Sequence, residues 1–541
     1  MRSLALLLAV LVTGCGASSS ADSGGSFAPG TGGTTGTGLG GGVGTGSGGS
    51  AGAGASGGSG GAPEQELESS FQAPVATGRF VWIANPSSGR VAYIDAASLE
   101  VKTVAAGNGP TYVAPVPGAT NDDAVVVLNV LSNDATFLRA TAAGIDNRTY
   151  PGLPPTANSW ALSPDGRWAI AWTDVRRVAN PRATDGFQDA TVLDLQAADP
   201  SSAHTTLAVG FRPVSFTFAA DSTRAFAVTE DGVSVVAVGG SGGPVVTADV
   251  PVAADPNASS DTLDVSITAD GRLAVVRTDG VAAVSVVDLS SGARTDIPMS
   301  APVTDVDVSD DGARAVAVAR DTAEVAIIPL GGAAPDPAAV ARLTITGETV
   351  GSVVLTAGGS AAVLFSNAVP VEHLTVVTLG ATPDFHVVRL HAPVLSVFPT
   401  DDGKFAVALH PGTVTAGTTP AATGFSLVPL DGTQPARIQT ADAPITGVAL
   451  SPAGDRTLIA ERDDTRQIFG VYLGRFPTLE VQRYPLASPP LTAGVIAGAG
   501  RGYVAQVHPE GRITFVTLDS GDARTLTGYE LAARVVDWSQ P

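Results

Sequence analysis

The stretch SAPVTDVDVSDDGARAVAVARDTAEVAIIPL, from Ser300 to Leu330, decides the fold. From Val303 to Val308 it alternates apolar and polar residues, the period of a half-buried strand. Asp311-Gly312 then supplies a tight turn, since glycine takes the positive φ that such turns demand. Two apolar runs follow, Ala315 to Ala319 and Val325 to Leu330. They are short and rich in β-branched residues, which suits strands buried on both faces. Three strands in a row result, and degenerate copies of the unit fill most of the chain.

The turn with its following strand recurs as TGRFVWIA from Thr77, SPDGRWAIAW from Ser163, AADSTRAFAV from Ala219 and TADGRLAVVR from Thr268. Further copies are TAGGSAAVLF from Thr356, TDDGKFAVAL from Thr400, SPAGDRTLIA from Ser451 and GAGRGYVAQV from Gly498, with a weaker NDDAVVVL from Asn121. Ten turns between positions 78 and 500 repeat at about 47 residues on average. The preceding strand recurs too, as in RPVSFTF, APVTDVDV, APVLSVFP and APITGVAL. So does the third strand, as ATVLDLQA, VSVVAVGG, VSVVDLSSG, LTVVTLGA, FSLVPLDG and ITFVTLDSG, before a more polar fourth segment such as ARTDIPMS. Four short strands per 40–50 residues is the pattern of a β-propeller blade, so an all-β propeller of four-stranded blades is expected.

The first full copy, RFVWIANPSSGRVAYIDAASLEVKTVAAGNGPTYVA from Arg79, resembles the YVTN family of β-propeller repeats. It carries an aromatic-to-Asn second strand, a Ser-Gly turn, a "YID" third strand and a Gly-Pro lead-in to the next blade. The resemblance implies a propeller over essentially everything after Phe71, of a kind found in bacterial and archaeal surface proteins and in subunits of some periplasmic oxidoreductases. No copy ends a strand in Trp-Asp, so the WD40 pattern is not met. Ten copies exceed the usual four to eight blades. Eight to ten blades in one closed ring are expected, with Arg534 to Trp538 completing the blade begun at Phe80.

The 541 residues are 44% hydrophobic and 15% charged, with 64 Gly and 38 Pro, a mixture that favours turns and strands over helices. A net charge of −21, with Lys102 and Lys404 the only lysines, repels phosphate backbones and argues against a nucleic-acid partner. The chain opens with Met1-Arg2 and an apolar run from Leu4 to Val12, the form of an export signal. Val12-Thr13-Gly14-Cys15 resembles the bacterial lipobox and holds the sole cysteine. That resemblance implies cleavage before Cys15 and its lipidation, which anchors the chain stably because more than one acyl chain is attached. Gly16, with no Asp in its place, points to the outer membrane, on its periplasmic or surface face. From Gly16 to Pro63 the chain is nearly all Gly, Ser, Thr and Ala, a flexible tether with a reach on the order of 40 Å. The expected organisation is a signal over 1–14, lipidated cysteine and tether over 15–70, and propeller over 71–541.

Chemistry is sparse. Long insertions fall between the second and third strands at Thr173–Asp189, His410–Gly424 and Glu461–Gln467, and should crowd one rim, where function tends to sit. Arg176, Arg177, His410, Arg462 and Asp464 are the candidate binding residues there, because guanidinium forks suit carboxylates and stand out in an acidic protein. The same residues also suit solvated loop ends paired with local acids. Asp305, Asp307 and Asp310-Asp311-Gly312 superficially suggest a calcium loop, but other copies place GVALSPAG at the same phase, which makes the Asp-Gly a hairpin turn. The six histidines lack metal-enzyme spacing, and there is no Cys-x-x-Cys-His, G-x-S-x-G elbow or phosphate loop. Neither catalytic residues, a metal nor a cofactor is therefore expected. The reading is a non-catalytic, membrane-tethered module binding a protein, peptide or glycan. A lactonase-like hydrolase or a subunit of a periplasmic oxidoreductase is the alternative, since residues converging from different blades leave no motif.

Overall fold

The computed structural model describes residues 75–118, 123–240, 242–254, 263–332, 335–412 and 421–529. The signal, the tether, Cys15 and Arg534–Trp538 lie outside the described residues. Among the described residues, forty strands form ten sheets of four antiparallel strands each, closed into a ring: blades 1 (Val75–Ala105), 2 (Pro110–Tyr150), 3 (Ser159–Ala208), 4 (Ser215–Val250), 5 (Leu263–Pro298), 6 (Asp305–Thr344), 7 (Ser352–Arg389), 8 (Ser396–Thr440), 9 (Ile445–Pro485) and 10 (Pro490–Thr527). Ten is the upper end of the expected range. The weak copy at Asn121 supplies a full second strand, Ala124–Asn129, in blade 2.

The Ser300–Leu330 stretch forms Asp305–Val308, Arg314–Ala319 and Glu324–Pro329, the first three strands of blade 6. Its second strand shows why both faces are apolar. Ala315, Ala317 and Ala319 face blade 5, against Leu273, Val275, Val284 and Val286. Val316 and Val318 face blade 7, against Val353, Ala362, Leu364 and Val377. Successive side chains alternate between two cores, with small residues on one side and larger ones on the other. The core is thus a set of slabs between blades rather than one central mass. Outer strands border only one neighbour and alternate with solvent, as in Val245–Val250.

The turn between first and second strands does two jobs. In blade 6, Ser309 Oγ donates to Asp311 Oδ1 at 2.6 Å, and Asp311 Oδ1 also accepts the Ala313 N–H at 2.9 Å. The acid at this position is a hairpin fixture. Gly312 has φ +64°, and a Cβ there would meet the Ala269 amide nitrogen of blade 5 at 3.0 Å. Gly403 repeats this in blade 8 with φ +67°, set against Thr356 of blade 7 at 3.2 Å. The glycine permits the turn and also lets consecutive turns stack round the ring.

Closure differs from the expectation. The first strand of blade 1 is Val75–Ala76, paired with Trp82 and Val81, so the place assigned to Arg534–Trp538 is filled from the N-terminal side. Val81, Ile83 and Ile94 pack against Ile496, Tyr503 and Phe515 of blade 10, and Arg501 Nη1 donates to the Ala96 carbonyl at 2.7 Å across the same joint.

Candidate functional site

The loops between second and third strands share a face with the lead-ins that start each blade. Several buried polar groups fasten the two together. Glu461, fully buried, accepts N–H bonds from Asp442 at 2.8 Å and Ala443 at 3.0 Å in the lead-in to blade 9. It also accepts from Tyr472 Oη at 3.1 Å and from Arg483 Nε at 2.6 Å. Burial first, and the Glu461 charge second, push the Tyr472 hydroxyl up to about 12. Glu324 in blade 6 likewise accepts the Ser300 N–H at 2.7 Å and pairs with Arg342. In blade 10, Gln506 Oε1 accepts the Ser488 N–H at 3.3 Å.

A second component of this layer went unread in the sequence. Among the described residues, the third residue of the third strand is a buried hydroxyl in six blades, Thr136, Thr191, Ser234, Ser285, Thr375 and Thr514, and blade 8 has Ser426 as the fifth residue of its longer strand Ala422–Pro429. Ser234 donates to Asp249 at 2.6 Å and Ser285 to Asp296 at 2.7 Å, while Thr191 bonds Thr206 at 2.9 Å and Thr514 bonds Thr525 at 2.8 Å. These bonds tie the third strand to the fourth. Ser234 Oγ also accepts the Gly210 N–H at 2.9 Å, reaching the blade 4 lead-in. The signal was legible as the repeated hydroxyl in ATV, VSV, LTV, FSL and ITF.

His410 belongs to the same layer. It lies at 3% exposure near the end of Phe405–Pro411, a strand that continues into the expected insertion and pairs with Ala422–Pro429. Its Nδ1 is 2.8 Å from the Pro393 carbonyl and its Nε2 is 2.7 Å from Ser426 Oγ. A carbonyl only accepts, so Nδ1 carries the proton and Nε2 accepts from Ser426. Burial lowers the His410 pKa and keeps the ring neutral. The contact has the atoms of a serine–histidine pair, but Ser426 is 1% exposed and its hydroxyl faces the blade interior. It fixes the loop.

The candidate arginines sit above this layer on local acids. In blade 3, Asp174 caps the short 3₁₀ turn Val175–Arg177 and accepts from Arg176 through its backbone N–H at 3.0 Å, Nε at 2.9 Å and Nη2 at 2.8 Å. Arg176 extends on to the Val214 carbonyl of blade 4 at 2.5 Å. Arg177 donates to the Asn158 carbonyl at 3.3 Å and keeps its Nε 3.8 Å from Asp174. In blade 9, Arg462 Nε lies 2.9 Å from both oxygens of Asp464, and its Nη1 reaches the Pro490 carbonyl of blade 10 at 3.4 Å. Arg466 bonds Asp463 at 2.6 Å and the Asp442 carbonyl at 2.8 Å. The expected Glu461–Gln467 loop is shorter than anticipated, because the strands Arg456–Asp463 and Ile468–Arg475 run on through it. The hairpin extends because Glu461 is held inside rather than solvated.

Arg462 and Asp464 therefore meet, and Arg176 and Arg177 share one turn. His410 lies one blade before Arg462. Blade 3 stands across the ring from blades 8 and 9, so the five residues form two rim regions and not one pocket. No family model matches this chain. Nor does any curated protein. Solved structures match it at low identity. The "Dihydro-heme d1 dehydrogenase NirN in complex with DHE" matches at 15% identity and TM-score 0.44, over 78% of this chain and 76% of that one. A "eukaryotic initiation factor" matches at 12% and 0.48, over 78% of this chain and 97% of that one. A "functionally unknown protein from Desulfotomaculum acetoxidans DSM 771" matches at 11% and 0.31, over 58% and 99%.

The rim also carries apolar side chains. Of six large apolar residues left exposed among the described residues, four lie on this face: Leu131, Val281, Val369 and Leu491. The other two, Val245 and Ile438, are on outer strands. The opposite face offers a cleft of about 340 Å³ between Thr77, Arg79, Asp123, Pro452 and Gly498 at the closing joint. There Asp123 Oδ1 already accepts the Arg79 N–H at 2.8 Å and the Thr77 hydroxyl at 2.9 Å.

Proposed function

We propose that the chain is a lipoprotein of YVTN type, anchored at Cys15 in the outer membrane, whose propeller presents its loop rim to a protein partner. The observation that carries this reading is the make-up of the rim. Arginines held by local acids, with exposed apolar side chains among them, rest on a buried polar layer that keeps the loops in place. A preorganised surface loses little entropy on binding, and arginine is enriched at protein interfaces. Peptides and glycans are lesser candidates for the same surface. The lipobox and the Gly/Ser-rich tether support the address, and a tether of that reach lets the rim turn toward its partner.

Two experiments test it. Growth with an alkyne fatty acid should label the wild-type chain and leave Cys15→Ala unlabelled; equal labelling of both overturns the anchor. Crosslinking in cells, followed by affinity capture, should recover one partner at near-equal amount. The combined change Arg176→Ala, Arg177→Ala, Arg462→Ala and Asp464→Ala should lose that partner while the ring stays folded. His410 is left in place because it is buried beneath the rim. Undiminished capture by the fourfold variant would remove these residues from the interface.

A further inference from the structure

Among the described residues, the buried hydroxyls of the third strands find their partners by two routes, and one of them finds neither. In blades 3, 4, 5 and 10 the residue opposite the hydroxyl on the fourth strand is polar, and Thr191–Thr206, Ser234–Asp249, Ser285–Asp296 and Thr514–Thr525 are bonded pairs. In blades 2, 8 and 10 a long side chain near the end of the second strand reaches it. Asn129 Nδ2 donates to Thr136 at 2.9 Å, Gln506 Nε2 to Thr514 at 2.7 Å, and His410 Nε2 lies 2.7 Å from Ser426. Each stands two residues beyond the second-strand partner of the hydroxyl, which is Val127, Val504 or Ala408.

Blade 7 offers Thr375 neither partner. Opposite it on the fourth strand is Val387, and opposite it on the second is Leu364, which puts Ser366 at the reaching position. Serine lacks the length of Asn129, His410 or Gln506. Thr375 Oγ1 is buried and has no hydrogen-bond partner among the described residues. The same holds for Nε2 of His373, two residues earlier on the same face of the strand His373–Thr378. Continuing the register brings Ser366, also buried, opposite His373, and such cross-strand and diagonal neighbours lie about 5 to 8 Å apart. Leu364 and Val377, on the same face of their strands as these residues, pack against Val316, Val318 and Val325, so all three polar side chains enter the joint with blade 6.

The bonds around the three groups fix which atoms donate. His373 Nδ1 lies 3.4 Å from Glu348 Oε2 in the lead-in to blade 7, and Glu348 is also paired with Arg389. A carboxylate only accepts, so Nδ1 carries the proton and Nε2 presents its lone pair. Burial lowers the His373 pKa and keeps the ring neutral. Ser366 Oγ accepts the Val369 N–H at 3.3 Å, which leaves its own proton to give. One acceptor and two hydroxyls thus face the space that an imidazole or a carboxamide fills in blades 8 and 10. We propose that this joint binds one buried water molecule, which donates to His373 Nε2 and accepts from the Thr375 and Ser366 hydroxyls. About three bonds to otherwise unsatisfied groups is what a buried water makes, and leaving such groups bare costs more than holding the water. The water takes the part of the His410 ring in blade 8: it joins the third-strand hydroxyl to the lead-in, here through His373.

A crystal structure of the full chain, at a resolution that shows other buried waters, tests this. Density is expected about 2.7–3.2 Å from His373 Nε2, Thr375 Oγ1 and Ser366 Oγ. Ser366→Gln supplies the side chain that blade 10 uses, so its carboxamide should bond Thr375 as Gln506 bonds Thr514, and the water peak should vanish. Thr375→Val keeps the shape and removes one partner, so the peak should be lost or fall in occupancy. In solution, the imidazole nitrogen resonances of His373 should show a protonated Nδ1 and an unprotonated, hydrogen-bonded Nε2. No density at this place while other buried waters are visible would overturn the proposal. A proton on Nε2 would overturn it too, since His373 would no longer accept, and so would an unchanged peak in Ser366→Gln. If Ser366→Gln does not fold, the wild-type density and Thr375→Val decide the matter.

Discussion

Replacing Glu461 by alanine removes the carboxylate shared by four donor groups, and the structure decides how many of them matter. Arg483 keeps a second partner in Asp442 at 3.1 Å, and its side chain is 29% exposed, so water and Asp442 can compensate it. The Asp442 N–H lies beside an open side chain and is also within reach of water. Ala443 and Tyr472 are each 2% exposed, so the Ala443 N–H and the Tyr472 O–H lose their acceptor in a buried place, while Tyr472 Oη still accepts the Asp442 N–H at 3.3 Å. At roughly 1–3 kcal/mol per orphaned group, the expected loss is about 3 kcal/mol, well short of the sum over all the bonds. Glu461→Gln keeps one acceptor and should lose about 1 kcal/mol. Arg483→Ala should cost more than Glu461→Gln, because it strips a fully buried carboxylate of its counter-charge. Urea unfolding followed by tryptophan fluorescence and near-ultraviolet circular dichroism gives these losses, provided the two probes coincide. A second readout is independent of stability. With the Glu461 charge gone, the Tyr472 hydroxyl should ionise at lower pH than it does beside the carboxylate. A loss below about 1 kcal/mol in Glu461→Ala, with the Tyr472 titration unmoved, would refute the view that this acid holds the rim together.

Three further outcomes follow from the same geometry. Ala317→Leu forces extra methylenes between blades 5 and 6, where Ala317 is fully buried, and should destabilise by about 1–3 kcal/mol in urea unfolding. Gly312→Ala should cost about 1–2 kcal/mol, since the new Cβ meets both a left-handed backbone and the Ala269 amide of the neighbouring turn; Gly292→Ala, at φ +71° with open space, isolates the backbone part alone. Asp288 is held down at about 2 by the Ser290 hydroxyl first and by Ser291. Its contribution is present above the ordinary carboxylate value near about 4 and is lost as pH falls toward about 2. Ser290→Ala should raise its midpoint in a carboxyl NMR titration.

How far the sequence could be read depended on whether a feature was local and repeated. The blade pattern was legible because turn glycines such as Gly312 and Gly403 and runs such as Arg314–Ala319 recur at one period. The sequence also placed the insertions on one face, since strand parity sets that. The insertions' content escaped. Glu461 looked like an exposed loop acid, because nothing nearby in sequence shows that the lead-in amides of Asp442 and Ala443 converge on it. His410 looked available for binding and is instead consumed by Pro393 and Ser426, which are 17 and 16 residues away. Asp305 and Asp307 looked like a calcium loop or strand decoration; their partners, Val353 and Leu355, lie 48 residues on in the next blade. Ring closure through Val75–Ala76 could not be inferred from a repeat pattern, because two residues are too few to carry one. The buried hydroxyl of the third strand was in plain view. Its meaning needed the register, which shows that the same position always meets the fourth strand.

The central functional claim is that the loop rim, rather than the turn face, meets a partner. Photo-crosslinking in cells tests it most directly, with a reactive residue placed in turn at Thr465 and Val281 on the rim and at Asp401 and Pro452 on the turn face. The account expects one shared adduct from rim positions and none from the turn face. An adduct from the turn face alone, or no adduct from any position while lipidated protein accumulates normally, would contradict it.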